Sequence, residues 1–168
     1  MHLSVDLHYP AGLDEVTRML ASEAFVRWRA QRTGGPQALV ELADVTGSID
    51  EGFSVVVRRT LPTDQIPGHL RAFVGNALEI RQAEVWEPAD GDVRRGTVSL
   101  EITGAPVRMT GTVTLEALPD GGTRHAYDGE LKATVPLFAA AVEEAAAGAV
   151  RATLTSEEQA GVEWLTAP

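Results

Sequence analysis

The chain of 168 residues has a net charge of −10 and no cysteine. This removes disulfides, thiolate nucleophiles and cysteine metal sites, and it opposes attraction to phosphate backbones or anionic lipid, which draws on clustered Lys and Arg. The length suits one domain, residues 1–168. The four histidines are too scattered for a metal motif, no apolar run is long enough to span a membrane, and MHLSVDLHYP lacks a signal-peptide pattern, so the expectation is a cytoplasmic protein without cofactor, metal, nucleic-acid partner or membrane insertion.

Leu3, Val5, Leu7 and Tyr9 alternate with Ser4, Asp6 and His8, the period-2 pattern of a half-buried strand that Pro10 ends. Ala11–Leu20 predicts a short helix with Leu13, Val16, Met19 and Leu20 on one side. Ser22 is the N-cap of a second helix running to about Gln31, and Thr33-Gly34-Gly35-Pro36 closes the pair. β-type segments then follow at 37–47, 52–61, 78–86, 93–103, 106–118 and 123–135, divided by turn signals such as Pro88-Ala89-Asp90-Gly91 and Pro119-Asp120-Gly121-Gly122. Loops of this length join sequence neighbours antiparallel. One connection is longer: Pro62–Ala77 contains Ile66-Pro67, a possible first-turn proline, and His69–Gly75 reads as a short helix with a glycine stop.

The last element, Pro136–Leu165, is the one long helical run. Phe138, Val142, Ala145, Ala149 and Ala152 form a stripe that is alanine past its second member, while Glu143, Glu144, Arg151, Glu157 and Glu158 mark the solvated side. A helix that faces a core with alanines either packs very close to its partner or leaves room beside it. At ~1.5 Å per residue it is the only element long enough to cover the apolar face of a seven-stranded sheet. The order β-α-α-β6-α is therefore an α+β domain in which a curved antiparallel sheet wraps around the terminal helix.

This succession resembles the START-like superfamily (SRPBCC, helix-grip or Bet v 1-like) along essentially the whole chain. Within it, Tyr9-Pro10-Ala11, Phe25-Val26-Arg27, Leu61-Pro62-Thr63-Asp64-Gln65-Ile66-Pro67, Glu84-Val85-Trp86 and Asp128-Gly129-Glu130-Leu131-Lys132 look like the domain of unknown function 2505 family. The resemblance implies a helix-grip fold and a hydrophobic pocket of the kind that binds lipids, hormones or polyketides. Some members of the superfamily are cyclases or hydrolases. No catalytic motif comes with the resemblance.

Strand alternation selects the inward faces. Met109, Val113 and Leu131 face inward, as do Trp86 with Gln82 and Glu84, Arg59 with Val55 and Val57, and His125 with Tyr127. An unpaired buried carboxylate is costly, so Glu84 is expected to meet Arg59 across the neighbouring strands. The polar residues either lie at the solvent-open mouth or in a structural ion pair, or they are anchors for a ligand. The expected site is a cavity for a small apolar molecule, walled by Trp86, Met109, Val113, Leu131, Phe138, Val142 and Ala145 and anchored by Arg59, Gln82, Glu84, His125 and Tyr127. The alternatives are a cyclase- or hydrolase-like enzyme with Glu84 or His125 as acid-base group, and a protein-interaction module without a ligand.

Overall fold

The computed structural model describes residues 1–63, 68, 71–73 and 77–168. Strand β1 (His2–Tyr9) leads into helices α1 (Leu13–Leu20) and α2 (Glu23–Gly34). Strands β2 (Leu39–Ser48), β3 (Gly52–Pro62), β4 (Ala77–Trp86), β5 (Val93–Thr103), β6 (Val107–Ala117) and β7 (Thr123–Ala133) follow, and α3 (Ala139–Thr166) closes the chain. The sheet runs β1-β7-β6-β5-β4-β3-β2, each neighbour antiparallel, so only the β1–β7 pairing joins strands distant in sequence. The short helix expected at 69–75 lies outside the described residues except for a single 3-10 turn at Arg71–Phe73.

The expected inward faces of the strands are realised. In β6, Val107, Met109, Val113 and Leu115 are buried, as are His125, Tyr127, Gly129 and Leu131 in β7. Gly111 pairs with Gly129, and a Cβ on Gly111 would come within 2.2 Å of the Asp128 carbonyl oxygen and 2.6 Å of the Gly129 Cα. Side chains would hold these strands apart, so the glycine pair lets the sheet draw tight where it curls.

Ser22 caps α2 as expected, its Oγ accepting from the Phe25 N–H at 3.4 Å. The terminal helix begins three residues later than Pro136. Leu137 has φ +66°, a left-handed conformation that no continuing helix contains and that costs an L-residue roughly 1–2 kcal/mol, and Phe138 is the N-cap. Polar staples then fasten α3 to the β1–β7 side of the sheet. Arg151 Nη1 donates to the Ser4 carbonyl at 3.0 Å, and the Glu143 and Glu158 carboxylates accept from the Ala133 N–H at 3.0 Å and the His8 N–H at 2.6 Å. The last two bonds also occupy backbone donors that the sheet's own ladder leaves free.

Candidate functional site

Between α3 and strands β3 to β6 lies a cavity of about 460 Å³. Its sheet wall is apolar: Leu78 and Ile80 from β4, Val98, Leu100 and Ile102 from β5, Val107 and Met109 from β6. Opposite, α3 presents Val142, Ala145, Ala146, Ala149, Val150 and Leu154. The register pairs Ile80 with Ile102 and Ile102 with Val107, so all these rows meet at one end of the sheet. Ala149, Ala152 and Ser156 line the cavity and are exposed, which places its opening along a flank of the helix.

One side of the cavity is polar, where Thr33, Arg59, Gln82, Tyr127 and Glu157 converge. Arg59 reaches from β3 to the end of α2, donating from Nη1 to the Ala30 carbonyl at 3.3 Å and to Thr33 Oγ1 at 2.8 Å. A cation at a helix C-terminus is favourably placed against the helix dipole. Burial works against this charge and pulls the guanidinium below its ordinary pKa, Glu157 offsetting only part. Glu157 is 3% exposed and lies 3.5 Å from Nη1 of Arg29, also 3% exposed, whose guanidinium stacks 5.4 Å above the Phe25 ring. Burial disfavours the Arg29 charge too, but Glu157 and then Glu84 outweigh it and hold the pKa above the usual arginine value.

Beneath the cavity the same strands carry a second cluster. Glu84 accepts from Gln82 Nε2, Trp86 Nε1 and Tyr127 Oη, each at 3.0 Å. Three neutral donors therefore meet a group that is acceptor-only when ionised. Desolvation, then Glu84, pushes the Tyr127 phenol well above its ordinary pKa. His125 is wrapped by Tyr127, Trp86 and Tyr9 at ring-centroid distances of 4.5, 5.5 and 6.2 Å, and neither ring nitrogen has a hydrogen-bond partner. Burial lowers its pKa to about 4, so the imidazole is neutral.

The expected residues thus divide. Arg59, Gln82, Met109, Tyr127, Val142 and Ala145 line the cavity. Glu84, Trp86, Val113, His125 and Leu131 are buried in the core behind the lining. Phe138 is 50% exposed and stands outside the wall, because the late start of α3 puts it on the turn rather than on the inward stripe. The expected Arg59–Glu84 pair does not form: Arg59 is opposite Ile80 and Glu84 opposite Val55, four residues apart along the strands, and each finds neutral partners instead. Glu157 is not on a solvated face. It lies three residues after buried Leu154 and three before buried Ala160, a spacing that carries the inward stripe onward. Arg29 is similarly marked by Phe25, Val26 and Ala30. Among the described residues no group of His, Asp or Glu is placed to hold a metal ion, and no helix is long and apolar enough to cross a membrane.

The profile of a family described as a protein of unknown function, DUF2505, matches residues 4–165. An uncharacterized protein of Mycobacterium tuberculosis is 24% identical over 161 residues, covering 94% of this chain and 92% of that protein. Among solved structures, a Thermus thermophilus protein superposes with a TM-score of 0.58 at 18% identity, covering 99% of this chain and all of the other. A START superfamily protein from Mycobacterium smegmatis gives 0.56 at 13% identity, covering 98% and 99%. Norcoclaurine synthase from Thalictrum flavum, solved in complex with dopamine and hydroxybenzaldehyde, gives 0.56 at 14% identity, covering 97% and 87%. At these identities the likeness is one of fold, the helix-grip arrangement of a START or Bet v 1-like domain.

Proposed function

The chain belongs to the DUF2505 family, and on the architecture of its cavity we propose that it binds a small, largely apolar molecule between α3 and the sheet. The supporting observation is the mismatch across the cavity: the sheet offers Leu78, Ile80, Leu100, Ile102 and Met109, and between Val142 and Leu154 the helix answers mainly with Ala145, Ala146, Ala149 and Ala152, which leave the gap unfilled. The cavity of about 460 Å³ opens along the flank of α3, so without a ligand its apolar walls stand against water that a fitted apolar molecule would displace. Such a volume is in the range of small-molecule pockets and calls for an occupant. The complex of norcoclaurine synthase with dopamine and hydroxybenzaldehyde supports this by analogy of fold.

Binding is favoured over acid-base catalysis. His125 lies behind the lining rather than in it, and the raised pKa of Tyr127 makes that phenol a poor proton donor. Native mass spectrometry of protein purified without denaturation, followed by extraction and identification of the released small molecule, tests the proposal. A stoichiometric apolar adduct is the expected result. Protein that carries no adduct and takes up no apolar fluorescent probe would overturn it.

A further inference from the structure

Arg59 is 4% exposed and lines the cavity, yet among the described residues no carboxylate pairs with it. Its two hydrogen bonds, to the Ala30 carbonyl and the Thr33 hydroxyl, both come from Nη1. A guanidinium has five N–H donors, so the Nε–Nη2 edge, the edge that grips a carboxylate through two parallel hydrogen bonds, keeps its donors. The other charges nearby are engaged: Glu157 with Arg29, and Glu84 with Gln82, Trp86 and Tyr127 away from the lining. With Glu157 held against Arg29, Arg59 is the charge in the lining that has no carboxylate partner among the described residues.

Resting on the apolar-ligand reading, we infer that the ligand carries a single carboxylate, held by the Nε–Nη2 edge of Arg59 while its apolar body lies between the β4–β5 wall and the alanines of α3. A monoanion fits better than a dianionic phosphate. One guanidinium is available, and its free edge balances one negative charge.

The test titrates the protein with 11-(dansylamino)undecanoic acid and with its methyl ester, which share one apolar body and differ in the charge. The expected result is that the acid binds about tenfold or more tightly than the ester. Arg59→Met should remove that preference, and Arg59→Lys should keep part of it. Equal affinity for acid and ester in the parent protein would overturn the carboxylate inference and leave the apolar-pocket reading standing. So would an acid preference that survives Arg59→Met. Failure of both probes to bind the parent protein would overturn the apolar-pocket reading and this inference with it. The comparison of probes needs only the parent protein, so it decides the matter even if Arg59→Met folds poorly after losing its contact with α2.

Discussion

The two halves of α3 use small residues for opposite reasons. In the C-terminal half, Gly161 lies against Tyr9: a Cβ there would come within 2.4 Å of the ring. Around it Leu154, Glu157 and Ala160 are buried, Trp164 meets the edge of Phe25 at 5.3 Å, and Glu163 bonds Arg32 of α2 at 2.5 Å. In the N-terminal half, Ala145, Ala146 and Ala149 face the cavity, while Gly148 is exposed to solvent, a Cβ there meeting nothing within 4 Å. Close packing and spare room are thus both true of one helix, about three turns apart. A small residue reports the distance to its neighbour only when the neighbour is known.

The largest effect that would sharpen this contrast is at the clamped end. Glu157→Leu should cost about 3–5 kcal/mol in urea denaturation, because Arg29 is left buried without its partner. The double change Arg29→Met with Glu157→Leu should recover most of that loss; if the double variant is no better than the single, the ion pair is not what holds this end.

The clamped end should also respond to acid. His125 has a pKa of about 4 in the fold against about 6.5 unfolded, so between these values the unfolded chain binds more protons. Its contribution is intact above about pH 6.5 and is lost as pH falls toward 4, about 3 kcal/mol in all. Carboxylates titrate over part of this window, so the measurement is the difference between parent and His125→Phe, whose stability should fall less across pH 6.5 to 4. Parallel curves would contradict the buried neutral imidazole.

One substitution made twice gives opposite signs. Gly161→Ala should destabilise by about 1–3 kcal/mol as the Tyr9 ring is forced aside, whereas Gly148→Ala should stabilise by up to about 1 kcal/mol through helix propensity alone. Equal effects at the two positions would mean that the Tyr9 ring yields to a Cβ at Gly161 and that this end is not closely packed. The smallest expected change in stability is that of Ala145→Leu, near zero or slightly favourable since the cavity takes the added bulk, together with weaker uptake of an apolar probe. A loss of about 1–3 kcal/mol with no probe uptake by the parent would mean the N-terminal half is closely packed as well.

The architecture was legible in the sequence because the strands announce themselves locally. Period-2 alternation gave the inward faces of β3, β4, β6 and β7, and loop lengths gave the neighbours. The site was legible where a residue's face alone decides it, as strand parity does for Arg59, Gln82, Met109 and Tyr127 and helical spacing does for Val142 and Ala145. Two kinds of information were missing. Strand register decided the fate of Arg59 and Glu84, for parity gives a face and no position along it. Depth decided between lining and core, which separates Tyr127 from His125 two residues away on the same face. Glu157 was hidden by its neighbour Glu158, since two adjacent acids read as a wet face although helical spacing turns them about 100° apart.

The polar staples that tie α3 to β1 and β7 separate what anchors the helix from what shapes the cavity. Arg151 and Glu158 fix the helix on one side, while the side chains that set the free volume, at Ala145, Ala146 and Ala149, are not used in fixing it. Exchanging alanine for serine, valine or leucine at those positions should therefore retune which molecules fit without loosening the helix. The domain is in this respect an adjustable gauge: its frame is secured along one edge by polar bonds, and its aperture is bounded by small side chains that take no part in them.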